Sequence, residues 1–282
     1  MTRSVSPSDP RKLGSPGDVT CSFDADTALE EVEPGSWRAW APEHWFVGRG
    51  PNGGYLAALA ARAAEAASAR PLRSLSLHFV AAPAVGPIDV AATLEREGRT
   101  YSAVSIRIEQ DGAPMTLAIA TLGELPDEGA AWDATSMPEA TPLAETQSFA
   151  PEQANVPAFM RNYDMRWAVG QNGDAPGSGG WIRTREPRLL DAPLVAAMTD
   201  AWAPAAFVAL GRFVGAPTLD LTIHIRRPLP PAGMAADDYV LGRFTTRLAV
   251  GGTWEEDGEL WTPGGELIAQ SRQLALVREL PA

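Results

Sequence analysis

From Gly50 to Ala58 the chain reads Gly-Pro-Asn-Gly-Gly-Tyr-Leu-Ala-Ala, and the alanine-rich run after it continues until Arg70-Pro71. Alanine is the best helix former, so the pattern predicts a helix from Gly54 to Ala69. With Ala57, Ala58, Ala60, Ala61, Ala63 and Ala64 it carries almost no bulk on any face, and a rod of that kind suits enclosure by a sheet. Upstream, Leu29, Val32, Trp37, Trp40, Trp45, Phe46 and Val47 are interrupted at Pro34-Gly35 and Pro42, which predicts two short strands joined by a tight turn. Downstream, four runs predict strands: Leu72 to Val80, Ile88 to Glu97, Thr100 to Gln110 and Met115 to Leu122. Glu97-Gly98 and Asp111-Gly112 mark hairpin turns between them. Hairpins rather than helices connect these strands, which makes the class α+β with an antiparallel sheet.

The segment from Glu124 to about Pro157 is acidic, contains proline and has no basic residue, the composition of a solvated linker. Beyond it, Tyr163 to Val169 and Trp181 to Arg185 predict a strand pair, with Gly170 to Gly180 as a long glycine-rich connection. Asp191 as N-cap, Pro193 and the stripe Leu194, Val195, Met198, Trp202 predict a helix from Ala192 to Ala203, limited by Pro204. Four further strands are predicted: Thr218 to Arg226, Tyr239 to Val250, Thr253 to Trp261 and Glu266 to Val277. The two parts repeat. Leu75-Ser76-Leu77-His78-Phe79 matches Leu221-Thr222-Ile223-His224-Ile225, and Glu109-Gln110-Asp111-Gly112 matches Glu255-Glu256-Asp257-Gly258; 224 − 78 and 258 − 112 both give 146. A shared offset predicts two tandem helix-wrapping domains with their sheets side by side. The expected organisation is a loose tail over 1–19, one domain over 20–124, the acidic linker over 125–157 and a second domain over 158–282.

Composition narrows the function. At 282 residues with 45% hydrophobic content, a formal net charge of −12 and a pI near 4.7, the chain can bury a sizeable core and repels phosphate backbones and anionic lipid. Nucleic acid and membrane are therefore not expected partners. Cys21 is the only cysteine, and His44, His78 and His224 lie too far apart for a zinc spacing, so no disulfide, metal or cofactor is expected. No run approaches the length of a membrane span and the N-terminal stretch lacks a signal-peptide core, which suits a cytoplasmic protein. Gly48-Arg49-Gly50-Pro51-Asn52-Gly53 fits the dinucleotide-binding glycine pattern, but the helix leads into a meander, without the parallel strand and acid that such a site needs. No Gly-x-Ser-x-Gly elbow occurs. His78 and His224 repeat at equivalent strand positions, which favours a shared structural role over catalysis.

Three stretches carry a family resemblance: Gly50 to Ala58, the strand Thr-Leu-Asp-Leu-Thr-Ile-His-Ile-Arg-Arg-Pro from Thr218 to Pro228, and Leu-Ile-Ala-Gln-Ser-Arg-Gln-Leu-Ala-Leu from Leu267 to Leu276. They resemble the double-hotdog acyl-coenzyme A thioesterases of the type II family, over about Ala28 to Val277. The hairpin from Gly251 to Trp261 is similar to the thioesterase-like bacterial branch. The resemblance implies a double hotdog fold and hydrolysis of an acyl thioester by water. It also implies a site in which Asp200, Thr218 and Gln273 hold the attacking water.

The chemistry agrees with those residue types, because thioester hydrolysis needs an oriented water, a base, and donors where the carbonyl oxygen gains charge. Asp200 could serve as base, although the C-terminal end of its own helix would oppose its charge. Thr218 falls in phase with the polar Asp220 and Thr222, and the alternation of the last strand leaves the face of Gln273 open. The offsets place Leu72 opposite Thr218 and Gly123 opposite Gln273, so one reacting centre per chain is expected. Gly53 and Gly54 have two readings, close packing against a strand or backbone donation to a substrate carbonyl or pantetheine segment. Two other functions fit the fold: a hotdog hydratase or dehydratase on acyl thioesters, which would want a His–Asp pair near the central helix, and a non-catalytic acyl-thioester-binding accessory protein. The substrate would be carried on coenzyme A or on an acyl carrier, and joined hotdog pairs suggest a homodimer.

Overall fold

Residues 22–124, 132–149, 156–170 and 176–279 are described by the computed structural model; the predicted tail 1–19 lies outside them, as do 125–131 and 150–155 of the predicted linker. A short helix α1 (Ser22–Asp26) leads into strands β1 (Glu30–Glu33) and β2 (Ser36–Ala41) and a two-stranded ribbon of β3 (Phe46–Val47) with β4 (Gly50–Pro51). The alanine-rich helix α2 (Gly53–Ser68) comes next, then β5 (Leu72–Phe79), β6 (Gly86–Glu97), β7 (Ser102–Gln110) and β8 (Ala113–Leu122). The second part contains β9 (Tyr163–Trp167), β10 (Gly177–Thr184), α3 (Ala192–Met198), α4 (Ala205–Leu210) and β11 (Thr218–Ile225). It continues with β12 (Val240–Thr245), β13 (Ala249–Val250), β14 (Thr253–Trp261) and β15 (Leu267–Leu276).

Among the described residues one antiparallel sheet runs β1-β2-β6-β7-β8-β5-β11-β15-β14-β12-β10-β9, with β13 on β14. This is the double hotdog: two helix-wrapping sheets joined edge to edge. Asn52 starts α2 by accepting the Tyr55 N–H on its side-chain oxygen at 3.2 Å. From Gly54 to Ala61 every residue of α2 is buried, and the helix packs on β5 to β8 and on α3, which is itself buried throughout.

The seam between the halves is the β5–β11 pair, where Leu75 faces Ile223, Ser76 faces Thr222 and Leu77 faces Leu221. Ser76 and Thr222 are equivalent under the offset of 146, so their hydroxyls, 3.1 Å apart, sit on a local twofold axis. The second sequence match does not belong to this symmetry. Asp111 and Gly112 form the β7–β8 turn with positive φ, whereas Asp257 and Gly258 lie within β14, whose own turn comes later. The register supplies the true counterparts. Leu75 pairs with Ala120 and Val104 also pairs with Ala120, just as Leu221 pairs with Gln273 and Glu256 also pairs with Gln273. Ala120, not Gly123, is therefore the first-half counterpart of Gln273, because the connection between β5 and β7 is shorter than that between β11 and β14. Leu72 remains the counterpart of Thr218, each standing at a register shift.

Three local expectations differ. The second helix ends at Met198 rather than Ala203: the Thr199 hydroxyl donates to the Ala196 carbonyl at 2.8 Å, and Pro204 begins α4 separately. The glycine-rich connection ends inside a strand, since Gly177 to Gly180 open β10. Side-chain carbons at Gly179 and Gly180 would lie 2.1 and 2.0 Å from the carbonyl oxygens of Gly242 and Arg166, so these glycines admit neighbouring strands that no other residue would. Within the expected solvated linker, most of 132–149 is exposed, but three of its residues meet the second half. Met137, Ala140 and Leu143 pack on a cluster containing Trp181, Tyr239 and Trp261, and Trp181 donates its indole N–H to the Thr141 carbonyl at 2.9 Å.

The closest approach of the helices gives a test. A side-chain carbon at Gly54 would lie 2.4 Å from the Ala197 carbonyl oxygen, so Gly54→Ala should lower stability by about 1–3 kcal/mol, the usual penalty of overpacking. Gly264→Ala, where the nearest group is 3.7 Å away, serves as the neutral control. Urea denaturation that ranks the two variants equally would show that the helices have room to part.

Candidate active site

Asp200 follows α3 in a turn that delivers its carboxylate to the first turn of α2. Its Oδ2 accepts the Gly54 N–H at 3.0 Å and Asn52 Nδ2 at 2.8 Å, and the Gly53 N–H adds to the same cradle. Asn52 Nδ2 also reaches the Asp200 carbonyl at 2.7 Å, so one amide caps α2 and ties the turn to it. The end of its own helix opposes Asp200, but the positive end of the neighbouring helix receives it. Burial pushes the Asp200 carboxyl up to about 6, with the Gly54, Gly53 and Asn52 donors pulling the other way. A carboxylate in that range is ionised at neutral pH yet basic enough to take a proton.

Gly53 and Gly54 are therefore not free donors for a substrate carbonyl, as one expectation had them: their N–H groups point at Asp200. The close packing at Gly54 is against the backbone of α3 rather than a strand.

Thr218 opens β11 beside a bulge. From Asp220 onward, Leu221, Ile223 and Ile225 are buried on the inner face while Asp220, Thr222 and His224 face outward. The irregularity between Thr218 and Asp220 shifts the phase by one residue, which turns Thr218 inward despite its even number. There its hydroxyl donates to Gln273 Oε1 at 2.8 Å. Gln273 is 6% exposed on the inner face of β15 and donates through Nε2 to Glu256 Oε1 at 2.7 Å. Glu256 Oε2 accepts the Ala205 N–H at 2.6 Å, capping α4. Burial pushes Glu256 up to about 8, and the Asp200 and Glu255 charges add to this.

The site thus consists of two bonded groups, Asp200 with Asn52, Gly53 and Gly54, and Thr218 with Gln273 and Glu256. The Asp200 charge felt at Glu256 links them, and Phe79 at the end of β5 borders the first group. A side-chain carbon at Gly53 would touch both Asp200 Oδ2, at 2.9 Å, and the Phe79 ring, at 3.0 Å. Tyr163 lies within electrostatic reach of Asp200 as well; its buried hydroxyl has no partner, and burial followed by the Asp200 charge pushes it up.

Two contributors are not among the expected site residues. Asn52 stands in the helix entry as an N-cap, but its bond to Asp200 crosses 148 positions of sequence. Glu256 leaves a signal: along β14 it shares the inward phase of Trp254, Gly258 and Leu260, the one charged residue on that face. His78 and His224 are exposed on the outer face, away from this network, and Asp220 lies on that face too. A hollow of about 380 Å³ outside β11, β12, β14 and β15 is lined by His224, Arg243, Arg247, Asp257 and Arg272, and within it Asp257 pairs with Arg247 and Arg272. It is separate from the inward-facing set.

Comparison with known proteins matches residues 41–123 to the N-terminal domain, and residues 133–277 to the C-terminal domain, of acyl-CoA thioesterase. An uncharacterized protein of Mycobacterium tuberculosis is 29% identical over 268 residues, covering 83% of this chain and 88% of its own length. A hot dog fold protein of unknown function from Alicyclobacillus acidocaldarius superposes with a TM-score of 0.84 at 26% identity, covering 94% of this chain and all of that one. An acyl-CoA thioesterase II from Mycobacterium marinum superposes with a TM-score of 0.74 over 92% of this chain and 98% of its own; at 21% identity this likeness shows the fold.

The two buried carboxyls set the direction of a stability test. Both titrate higher in the folded state, Asp200 at about 6 against 3.8 and Glu256 at about 8 against 4.5, so their contribution is complete at acid pH and lost as pH rises through those values. Asp24 and Asp164, both lowered, act oppositely but only near and below the ordinary carboxylate range. Tm should therefore fall between about pH 5 and about pH 9, and Asp200→Asn and Glu256→Gln should each remove part of the fall. A Tm constant over that range would show that neither carboxyl is perturbed.

Proposed function

The chain belongs to the acyl-CoA thioesterase family, and on that premise we propose that Asp200, Thr218 and Gln273 hold one water that attacks the thioester carbonyl. The protein is a thioester hydrolase acting on acyl-CoA. The observation that carries the site is Asp200: a carboxylate raised toward neutrality and held on a helix N-terminus by the Gly54 N–H and the Asn52 amide. Asp200 takes a proton from the water as its oxygen bonds to the carbonyl carbon. The tetrahedral intermediate then collapses, the carbon–sulfur bond breaks, and the proton passes to the leaving thiolate, giving free acid and thiol. Gly53 and Gly54 act through the base rather than on the substrate. A thioester on an acyl carrier has the same reacting atoms and is a second substrate class of this reading.

His44 does pair with Asp26, at 2.6 Å, the kind of pair a hydratase would want. The same Asp26 oxygen accepts the Trp45 indole N–H at 3.0 Å, and the Asp26 carbonyl accepts the Tyr55 hydroxyl, so the pair fastens α1 to the segment before α2. Hydrolysis is favoured because Asp200, not Asp26, adjoins the polar network. We also propose that two chains associate, since Leu117 and Ile119 on β8 and Leu274 on β15 are exposed on the outer face either side of the seam. The acidic composition, and the absence among the described residues of a helix able to cross a membrane, fit work in the cytoplasm.

Release of free thiol from short, medium, long and aromatic acyl-CoA substrates measures the reaction directly. Asp200→Asn should lower kcat by roughly 10²–10⁴-fold with little change in KM, and Thr218→Val and Gln273→Ala should cost less because the base remains. A folded Asp200→Asn protein as fast as its parent would refute the site. Absence of turnover on every substrate, with binding retained, would favour an accessory role. Light scattering should report a dimer at micromolar concentration, and a monomer there would end that part of the proposal.

A further inference from the structure

Glu256 is 4% exposed and, among the described residues, has no cation beside it. The charges that reach it, Asp200 from the turn after α3 and Glu255 on its own strand, are both negative. From β15 it meets the Gln273 amide and from α4 the Ala205 N–H. Arg243 on β12 and Arg272 on β15 oppose Glu259 and Asp257 across the ladder and so stand on the other face of the sheet. Burying such a carboxyl without a cation disfavours its charged form. The fold does not require it, since the first half fills the equivalent pair of positions with Val104 and Ala120, both 0% exposed.

The direction of the Gln273 amide decides what Thr218 can offer a water. In the observed arrangement Gln273 Oε1 takes the Thr218 hydroxyl hydrogen, so toward a third partner Thr218 Oγ1 can only accept. On the proposed reading, a water held between Thr218 and Asp200 would donate one hydrogen to each, leaving a lone pair for the carbonyl carbon. With the amide reversed, Nε2 would donate to Thr218 and the hydroxyl hydrogen would occupy the water's lone pair.

We propose that Glu256 is a positioning residue that sets this direction: by accepting from Gln273 Nε2 it turns Gln273 Oε1 to Thr218 and reserves Thr218 as an acceptor for the attacking water. The inference rests on the reading of Asp200, Thr218 and Gln273 as the reacting centre. An ionised Glu256 can only accept and enforces the productive direction. A protonated one can donate to Gln273 Oε1 and permits the reverse. Because Glu256 titrates at about 8 and Asp200 at about 6, kcat should rise with pH in two steps.

The test is kcat and KM for the parent, Glu256→Gln, Glu256→Asp and Asp200→Asn between about pH 5.5 and about pH 9.5 on the best acyl-CoA substrate. The parent should show both rises. Glu256→Gln, which cannot ionise, should lose the upper rise and fall about tenfold in kcat at the alkaline end, with KM within about twofold. Glu256→Asp should recover part of the upper rise. If Glu256→Gln keeps the parent's kcat and profile while losing only thermal stability, the residue merely caps α4 and the proposal is overturned. Should that variant fail to fold, a parent kcat that is flat above about pH 7 overturns the proposal equally. An impaired Asp200→Asn beside an unaffected Glu256→Gln sinks this inference alone, whereas a fully active Asp200→Asn sinks the site and the inference together.

Discussion

The backbone of α3 occupies the space where a side chain at Gly54 would stand. That approach fixes how the two helices lie against each other, and it carries the turn after α3 onto the first turn of α2. Asp200 then meets the Gly53 and Gly54 N–H groups and the Asn52 amide, all belonging to the other half of the chain. Gly53 and Gly54 thus create the environment of the Asp200 carboxylate. With a larger residue at Gly54 the helices would part, and the carboxylate would lose the donors that keep it ionised despite its burial.

A near-symmetric scaffold holds one polar set. Its twofold axis passes between Ser76 and Thr222, and both halves carry a bulge at the start of the strand next to the seam. In the first half the bulge turns Leu72 into the core; in the second it turns Thr218 toward Gln273. Val104 and Ala120 against Glu256 and Gln273 repeat the contrast. The apolar version satisfies packing by itself, so the polar version is a feature added to a fold that is complete without it. Among the described residues, carboxyls without a neighbouring cation and a buried Tyr163 hydroxyl without a partner gather on that side, groups that stability alone would disfavour.

Much of the fold is legible in the chain because its signals are local. The alanine run, the turns at Pro34-Gly35 and Glu97-Gly98, and the repeat around His78 and His224 depend on neighbouring residues, so helix, meander and duplication can be read in order along the chain. Asp200, Thr218 and Gln273 come from resemblance, as their own surroundings in sequence do not distinguish them from structural residues. The expectations that fail share one cause: Gly177 to Gly180 as a connection, Ala192 to Ala203 as one helix, and Gly123 as the counterpart of Gln273 all depend on strand crowding, helix termination and register, which are set by partners distant in the chain. Element types and the duplication follow from the order of residues alone, since propensity and periodicity act over a few residues. That a bulge turns Thr218 inward, that Asp200 rests on the other half's helix, and that Glu256 is buried beside Gln273 depend on contacts formed when the two halves and their strands are brought together.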